Sequence, residues 1–112
     1  MKKIEAIIRA ERFEEVKEAL KGLSYPGMTK SLVEGHGKQK GLKQQFRGTT
    51  FEVEFTPKVK LEIVVLDEDV PQMLNVITRS ARTGETGDGK IFVLPVESVA
   101  RIRTGDRDEN AI

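Results

Sequence analysis

Three separated segments of this 112-residue sequence combine glycine with positive charge, the pairing that phosphate oxygens favour. Gly84-Glu85-Thr86-Gly87-Asp88-Gly89-Lys90 nearly completes a Walker A pattern, with Gly84, Gly89 and Lys90 in register. Ile91 stands where a Ser or Thr hydroxyl would hold Mg²⁺, and the segment leads from a helix pattern into a strand pattern, the reverse of a P-loop. A P-loop NTPase is therefore rejected. The glycine amides and the Lys90 ammonium still suit a polyanion, with an ordinary helix-to-strand connection as the alternative. Arg101 and Arg103 alternate on a strand candidate, about 7 Å apart, and two guanidiniums aimed the same way call for solvent or an anion. Gly35-His36-Gly37-Lys38-Gln39-Lys40-Gly41 is the third segment.

Residues that could turn a bound ligand over are scarce. His36 is the only histidine and cysteine is absent, which removes a histidine pair for metal, thiol catalysis and disulfides. There is no Gly-x-Ser-x-Gly elbow, and Asp67, Glu68 and Asp69 read as helix-start residues. Phe92 has no aromatic company of the kind RNA-reading sheets carry. The side chains favour binding over catalysis. A net charge of +1, from 19 basic and 18 acidic residues, is no footprint for nucleic acid. Between 36 and 60, however, six lysines and arginines face two glutamates, which suggests a small anion or a docking loop.

The elements that position these residues follow from periodicity. The length fits one domain, 1–112, and no run of about 18 apolar residues offers a membrane span. Glu5 and Arg9 break any leader-like apolar stretch, so a cytoplasmic location is expected. Ile4, Ala6 and Ile8 alternate in a strand, and Phe13, Val16, Leu20 and Leu23 form a helical stripe over 12–23. A strand over 28–34 precedes a glycine-rich excursion that returns through Phe51, Val53 and Phe55. Val59, Leu61, Ile63 and Val65, with Val64 on the other face, predict a central strand. Asp67 and Asp69 are N-cap candidates for a helix bearing Val70, Met73, Leu74, Ile77 and Ala81. The spacing then predicts a core strand over 91–96, a short edge strand over 99–103 and a polar, mobile tail over 105–112. The order βαββαβ predicts an α+β, ferredoxin-like sandwich with its helices on one sheet face. Ile7 beside Ile4, Ala6 and Ile8 makes both faces of the first strand apolar, which points to an oligomer.

Thr83-Gly84-x-x-Gly87-Asp88-Gly89-Lys90-Ile91-Phe92-Val93-Leu94-Pro95-Val96, followed by Arg101-Ile102-Arg103-Thr104-Gly105, resembles the C-terminal signature of the nitrogen regulatory PII signal proteins. Met1-Lys2-Lys3-Ile4-Glu5-Ala6-Ile7-Ile8, Arg47-Gly48 and Pro57-Lys58-Val59-Lys60 match as well, so the resemblance spans the chain. It implies a homotrimer with ATP or ADP in clefts between subunits. Gly87, Asp88, Gly89, Lys90, Arg101, Arg103 and Lys38 would surround the phosphates, Gly35, Gly37 and Val64 the adenine and ribose, and Thr29 would reach the base. It also implies 2-oxoglutarate, bound beside Mg-ATP by Gln39, Lys40, Gly41, Lys58 and Gly87, with the Gln39 amide oxygen on Mg²⁺.

The segment 37–55 would be the T-loop that docks on targets, and in transporter-binding members the residue matching Arg47 plugs an ammonium channel. The resemblance thus implies a non-enzymatic sensor controlling ammonium transport or nitrogen assimilation. A nitrogenase-associated regulator and a ferredoxin-like enzyme using ATP are the alternatives. Four departures stand out. Phe51 replaces the tyrosine uridylylated in many members, so no such modification is expected there. Lys38 replaces an arginine, His36 a phenylalanine, and Arg9-Ala10 a Lys-Pro pair.

Overall fold

The computed structural model describes residues 1–25, 27–36 and 55–112. The chain begins with β1 (Lys2–Arg9), in which Ile4, Ala6 and Ile8 are buried and the intervening residues half-covered. A 3₁₀ turn, Ala10–Arg12, leads into α1 (Phe13–Leu20), whose buried stripe is Phe13, Val16 and Leu20. The helix is shorter than the 12–23 that periodicity predicts. Lys21 N–H bonds the Glu18 carbonyl and Leu23 N–H the Leu20 carbonyl, so the last turn tightens to i→i+3 bonding and Leu23 packs from a turn.

Next come β2 (Thr29–Gly35), β3 (Thr56–Val65) and α2 (Val70–Ala81), the last opening with Pro71 in its first turn. The expected caps do not form: neither Asp67 nor Asp69 makes a side-chain cap bond. Asp67 instead pairs with the Lys2 ammonium at 3.1 Å, and Asp69 accepts the Tyr25 hydroxyl proton. The C-terminal turn of α2 is satisfied from outside, as the Arg12 guanidinium donates to the Ser80 carbonyl at 2.7 Å. The chain then forms β4 (Gly89–Pro95).

Among the described residues the sheet has four antiparallel strands in the order β2-β3-β1-β4. Each helix crosses over an intervening strand, which gives the ferredoxin-like arrangement that the element order predicts. The core lies between the sheet and the two helices. Ile4, Ala6, Ile8, Val59, Leu61, Ile63 and Val65 meet Val16, Met73 and Ile77, and burying each large side chain contributes about 1.5–3 kcal/mol.

Three further expectations are corrected. The last strand begins at Gly89, and it is a sheet edge whose Phe92, Val93 and Leu94 are exposed. The open face of β1 carries Lys3, Glu5 and Arg9 around Ile7, and Lys3 pairs with Glu62 at 2.8 Å, so only one of its faces is apolar. Residues 99–103 form no strand. Ala100 bridges Arg107, and Gly105 N–H bonds the Arg101 carbonyl at 2.8 Å, which places Arg101 and Arg103 in a turn rather than on one strand face. The polar tail carries a 3₁₀ turn, Asp108–Ala111.

Candidate functional site

A cleft of about 620 Å³ opens where β1, β3 and β4 meet the stem that leaves β2. Gly35, His36, Lys58, Gly87, Gly89 and Lys90 are among its lining residues, so two of the three glycine-rich segments converge there with a lysine from β3. The register explains the convergence: Lys58 faces Arg9, Gly89 faces Ile8 and Gly35 faces Thr56, which brings one end of each strand together.

The helix-to-strand turn, 83–89, is built on glycine. Gly84, Gly87 and Gly89 all have positive φ, at 91°, 106° and 101°. At Gly89 a Cβ would fall 1.8 Å from the Ile7 carbonyl oxygen, so close strand approach also demands glycine. The Asp88 carboxylate ties the turn. Its Oδ2 accepts the N–H groups of Thr83 and Gly84 at 2.8 and 2.9 Å, while Oδ1 accepts the Thr83 hydroxyl and the Arg9 Nε–H. Burial alone would raise the Asp88 pKa. The hydrogen bonds from Thr83, Arg9 and Gly84 outweigh it and hold the group far below the usual carboxylate range.

Lys58 is buried, the one such charged side chain among the described residues. Its Nζ donates to the Gly87 carbonyl at 2.6 Å. Desolvation lowers its pKa, and the nearby Arg9 charge lowers it further, against opposing contributions from Glu11 and Asp88. An ammonium stripped of water beside glycine amides is a strong point of attachment for an anion. Above it, the His36 and Phe55 rings meet edge to face with centroids 4.9 Å apart, closing the stem between β2 and β3. Among the described residues no group of three or more His, Cys, Asp or Glu side chains could hold a metal.

The structure therefore gathers Gly35, Lys58, Gly87, Asp88, Gly89 and Lys90. The Asp88 side chain spends its oxygens on the turn. Thr29 faces Glu62 and Val64 faces Lys3, so both lie toward the other end of the sheet, about 13–20 Å along β3 from Lys58. Arg101 and Arg103 do not line the cleft. Gly37, Lys38, Gln39, Lys40, Gly41, Arg47 and Phe51 lie outside the described residues. Sequence reading missed Arg9 and Thr83 as partners of Asp88. The available signal was a charged residue, Arg9, ending the alternation of β1, whose place opposite Lys58 only the register supplies.

The family model for "Nitrogen regulatory protein P-II" matches residues 1–106. The chain belongs to the P-II nitrogen regulatory family. Over its full length it is 52% identical to the nitrogen regulatory protein P-II of Pasteurella multocida and to that of Synechocystis, covering all of both proteins. Nitrogen regulatory protein P-II 2 of Methanothermobacter thermautotrophicus is 48% identical, matched over all of this chain and 97% of its own. These relatives are named as regulators, and the P-II chain shares with them the whole span that carries the cleft. No helix among the described residues is long and apolar enough to cross a membrane.

Proposed function

We propose that this protein is a cytoplasmic, non-enzymatic sensor that binds ATP or ADP and, beside Mg-ATP, 2-oxoglutarate, and that controls ammonium transport or nitrogen-assimilation proteins. The observation that carries this reading is the meeting of a desolvated Lys58, Lys90 and the Gly87 and Gly89 backbone in one cleft. Ammonium groups and glycine amides suit phosphate oxygens, and Asp88 shapes their loop with its oxygens taken up by Thr83, Gly84 and Arg9. With no carboxylate set among the described residues, Mg²⁺ would rest on the phosphates and the Gln39 amide oxygen. Lys58 would pair with the distal carboxylate of 2-oxoglutarate, with Lys40 and Gly41 contributing from the loop root.

Thr29, Val64, Arg101 and Arg103 would complete the nucleotide site from a neighbouring subunit, since one chain does not bring them to its own cleft. Three such clefts make a homotrimer. The segment 37–55 follows His36, which lines the cleft, and ends at Phe55, whose ring packs on His36, so ligands there could select its conformations. Arg47 within it would enter and block the pore of an ammonium transporter. The test is calorimetry with ATP, Mg²⁺ and 2-oxoglutarate, followed by a turnover assay and a transporter-inhibition assay with Arg47→Ala. Positive coupling between the two ligands without turnover supports the sensor. Sustained hydrolysis, or no nucleotide binding, overturns it.

A further inference from the structure

Arg9 closes β1 opposite Lys58, so two cations stand side by side on the open sheet face. Adjacent like charges are unfavourable unless each finds acceptors. Lys58 finds the Gly87 carbonyl, and Arg9 finds the groups on either side of it. Its Nε–H bonds the Asp88 carboxylate at 2.9 Å, and its Nη2–H bonds the Thr86 carbonyl at 2.8 Å. Gly87, with φ of 106° and no Cβ, has little backbone restraint of its own beyond the bond from Lys58 to its carbonyl. The two anchors of Arg9 straddle it.

We propose that Arg9 is the positioning residue of the cleft: by gripping Thr86 and Asp88 it fixes the backbone direction of Gly87 and Gly89, the groups that meet an anionic ligand. The proposal rests on the cleft being the nucleotide site. Arg9 does not line the cleft and its side chain is only 21% exposed, so it acts through the turn rather than on the ligand. Glu11, 3.9 Å away and largely solvated, is a weaker partner than Asp88. The residue type matters. A planar guanidinium reaches two separated acceptors at once, whereas an ammonium at the end of a flexible stem satisfies one of them well.

The test compares the full-length parent with Arg9→Gln and Arg9→Lys. Amide hydrogen exchange is read at Thr83 and Gly84, whose N–H groups bond Asp88, and ATP affinity is read by calorimetry with Mg²⁺. Arg9→Gln is expected to exchange faster at both amides and to bind ATP about tenfold more weakly. Arg9→Lys should fall between the two on both readouts. In an Asp88→Asn background the further loss on Arg9→Gln should shrink, because the two residues share one contact. Unchanged exchange in Arg9→Gln overturns the proposal, as does faster exchange with parental ATP affinity, or Arg9→Lys matching Arg9→Gln. A parent that binds no ATP overturns the nucleotide reading instead, and exchange at Thr83 and Gly84 still decides whether Arg9 holds the turn.

Discussion

The Lys58 ammonium donates to the Gly87 carbonyl at 2.6 Å, joining residues 29 positions apart in sequence. One belongs to an interior strand and the other to a turn between a helix and an edge strand. The contact supplies one acceptor to a buried cation that has three donors, so an incoming carboxylate would meet an ammonium already oriented and partly unsatisfied. Lys58→Met should therefore abolish 2-oxoglutarate binding while leaving ATP binding largely intact. The exchange removes the cost of desolvating the ammonium but takes the donor from the Gly87 carbonyl, so stability should fall by no more than about 1–3 kcal/mol. Calorimetry with each ligand checks the first expectation and denaturant unfolding the second. Parental 2-oxoglutarate affinity in the variant would displace Lys58 from the effector site.

Two glycines with similar φ separate backbone conformation from steric fit. Gly84, at φ 91°, has open space where a Cβ would go, whereas at Gly89, φ 101°, it would strike the Ile7 carbonyl. Gly84→Ala should cost about 1–2 kcal/mol, the price of a left-handed conformation. Gly89→Ala should cost more than about 3 kcal/mol, because β1 and β4 must also part. Equal unfolding midpoints for the two variants would contradict the close approach of those strands.

Much of this arrangement was legible in the sequence, and the losses have physical causes. Alternation at Ile4, Ala6 and Ile8 and at Val59, Leu61, Ile63 and Val65 reported true burial against two helices, so the sheet and its layers could be read. The strand over 99–103 failed because Arg101 and Arg103 alternate as strand residues do, yet the Arg101 backbone bonds Gly105 and Asp106 and closes a turn that contains Arg103. Asp67 and Asp69 had the right type for caps and found better partners far along the chain, in Lys2 and Tyr25. Local propensity cannot anticipate such partners. The glycine-rich turn could be recognised by composition, but the roles of Arg9 and Thr83 depend on register, which places the end of β1 beside that turn.

Asp88 makes stability depend on pH. Its proton affinity in the folded chain lies below that of an ordinary aspartate, so the stabilisation is fully present above about pH 4. It is lost as pH falls through and below the unfolded-state value. Between about pH 6 and about pH 3 the parent's denaturant midpoint should fall more steeply than that of Asp88→Asn, which has no carboxylate to protonate. Parallel pH profiles would mean that Asp88 contributes nothing to the acid limb.

Covalent control by uridylylation should be absent. Phe51 has no hydroxyl, and Tyr25, the only tyrosine, donates its proton to Asp69 while its oxygen accepts the Leu66 N–H. Burial, then the Asp69 contact, pushes the Tyr25 pKa up and makes its oxygen a poorer nucleophile. Intact mass spectrometry of protein from nitrogen-limited cells should show no uridylyl adduct. Finding one would place a modification where this reading allows none.

The division of site residues between the two ends of the sheet sets the last expectation. Lys90 stands at the cleft with Gly87 and Gly89, while Thr29 and Val64 lie toward the far end and Arg101 and Arg103 belong to a turn beyond β4. If each nucleotide cleft joins the first set of one subunit to the second set of the next, neither Lys90→Ala nor Arg103→Ala homotrimers should bind ATP well. Co-refolding equal amounts of the two variants should regenerate intact clefts wherever a subunit with native Lys90 precedes one with native Arg103 around the ring. Random assembly makes that about a quarter of all clefts, one in every mixed trimer. Titration of the mixture should therefore recover about a quarter of the parental ATP stoichiometry at near-parental affinity. A site completed within one subunit would regain nothing on mixing, because every subunit would still lack one of its own residues. Sedimentation of the parent as a monomer would exclude the shared cleft outright.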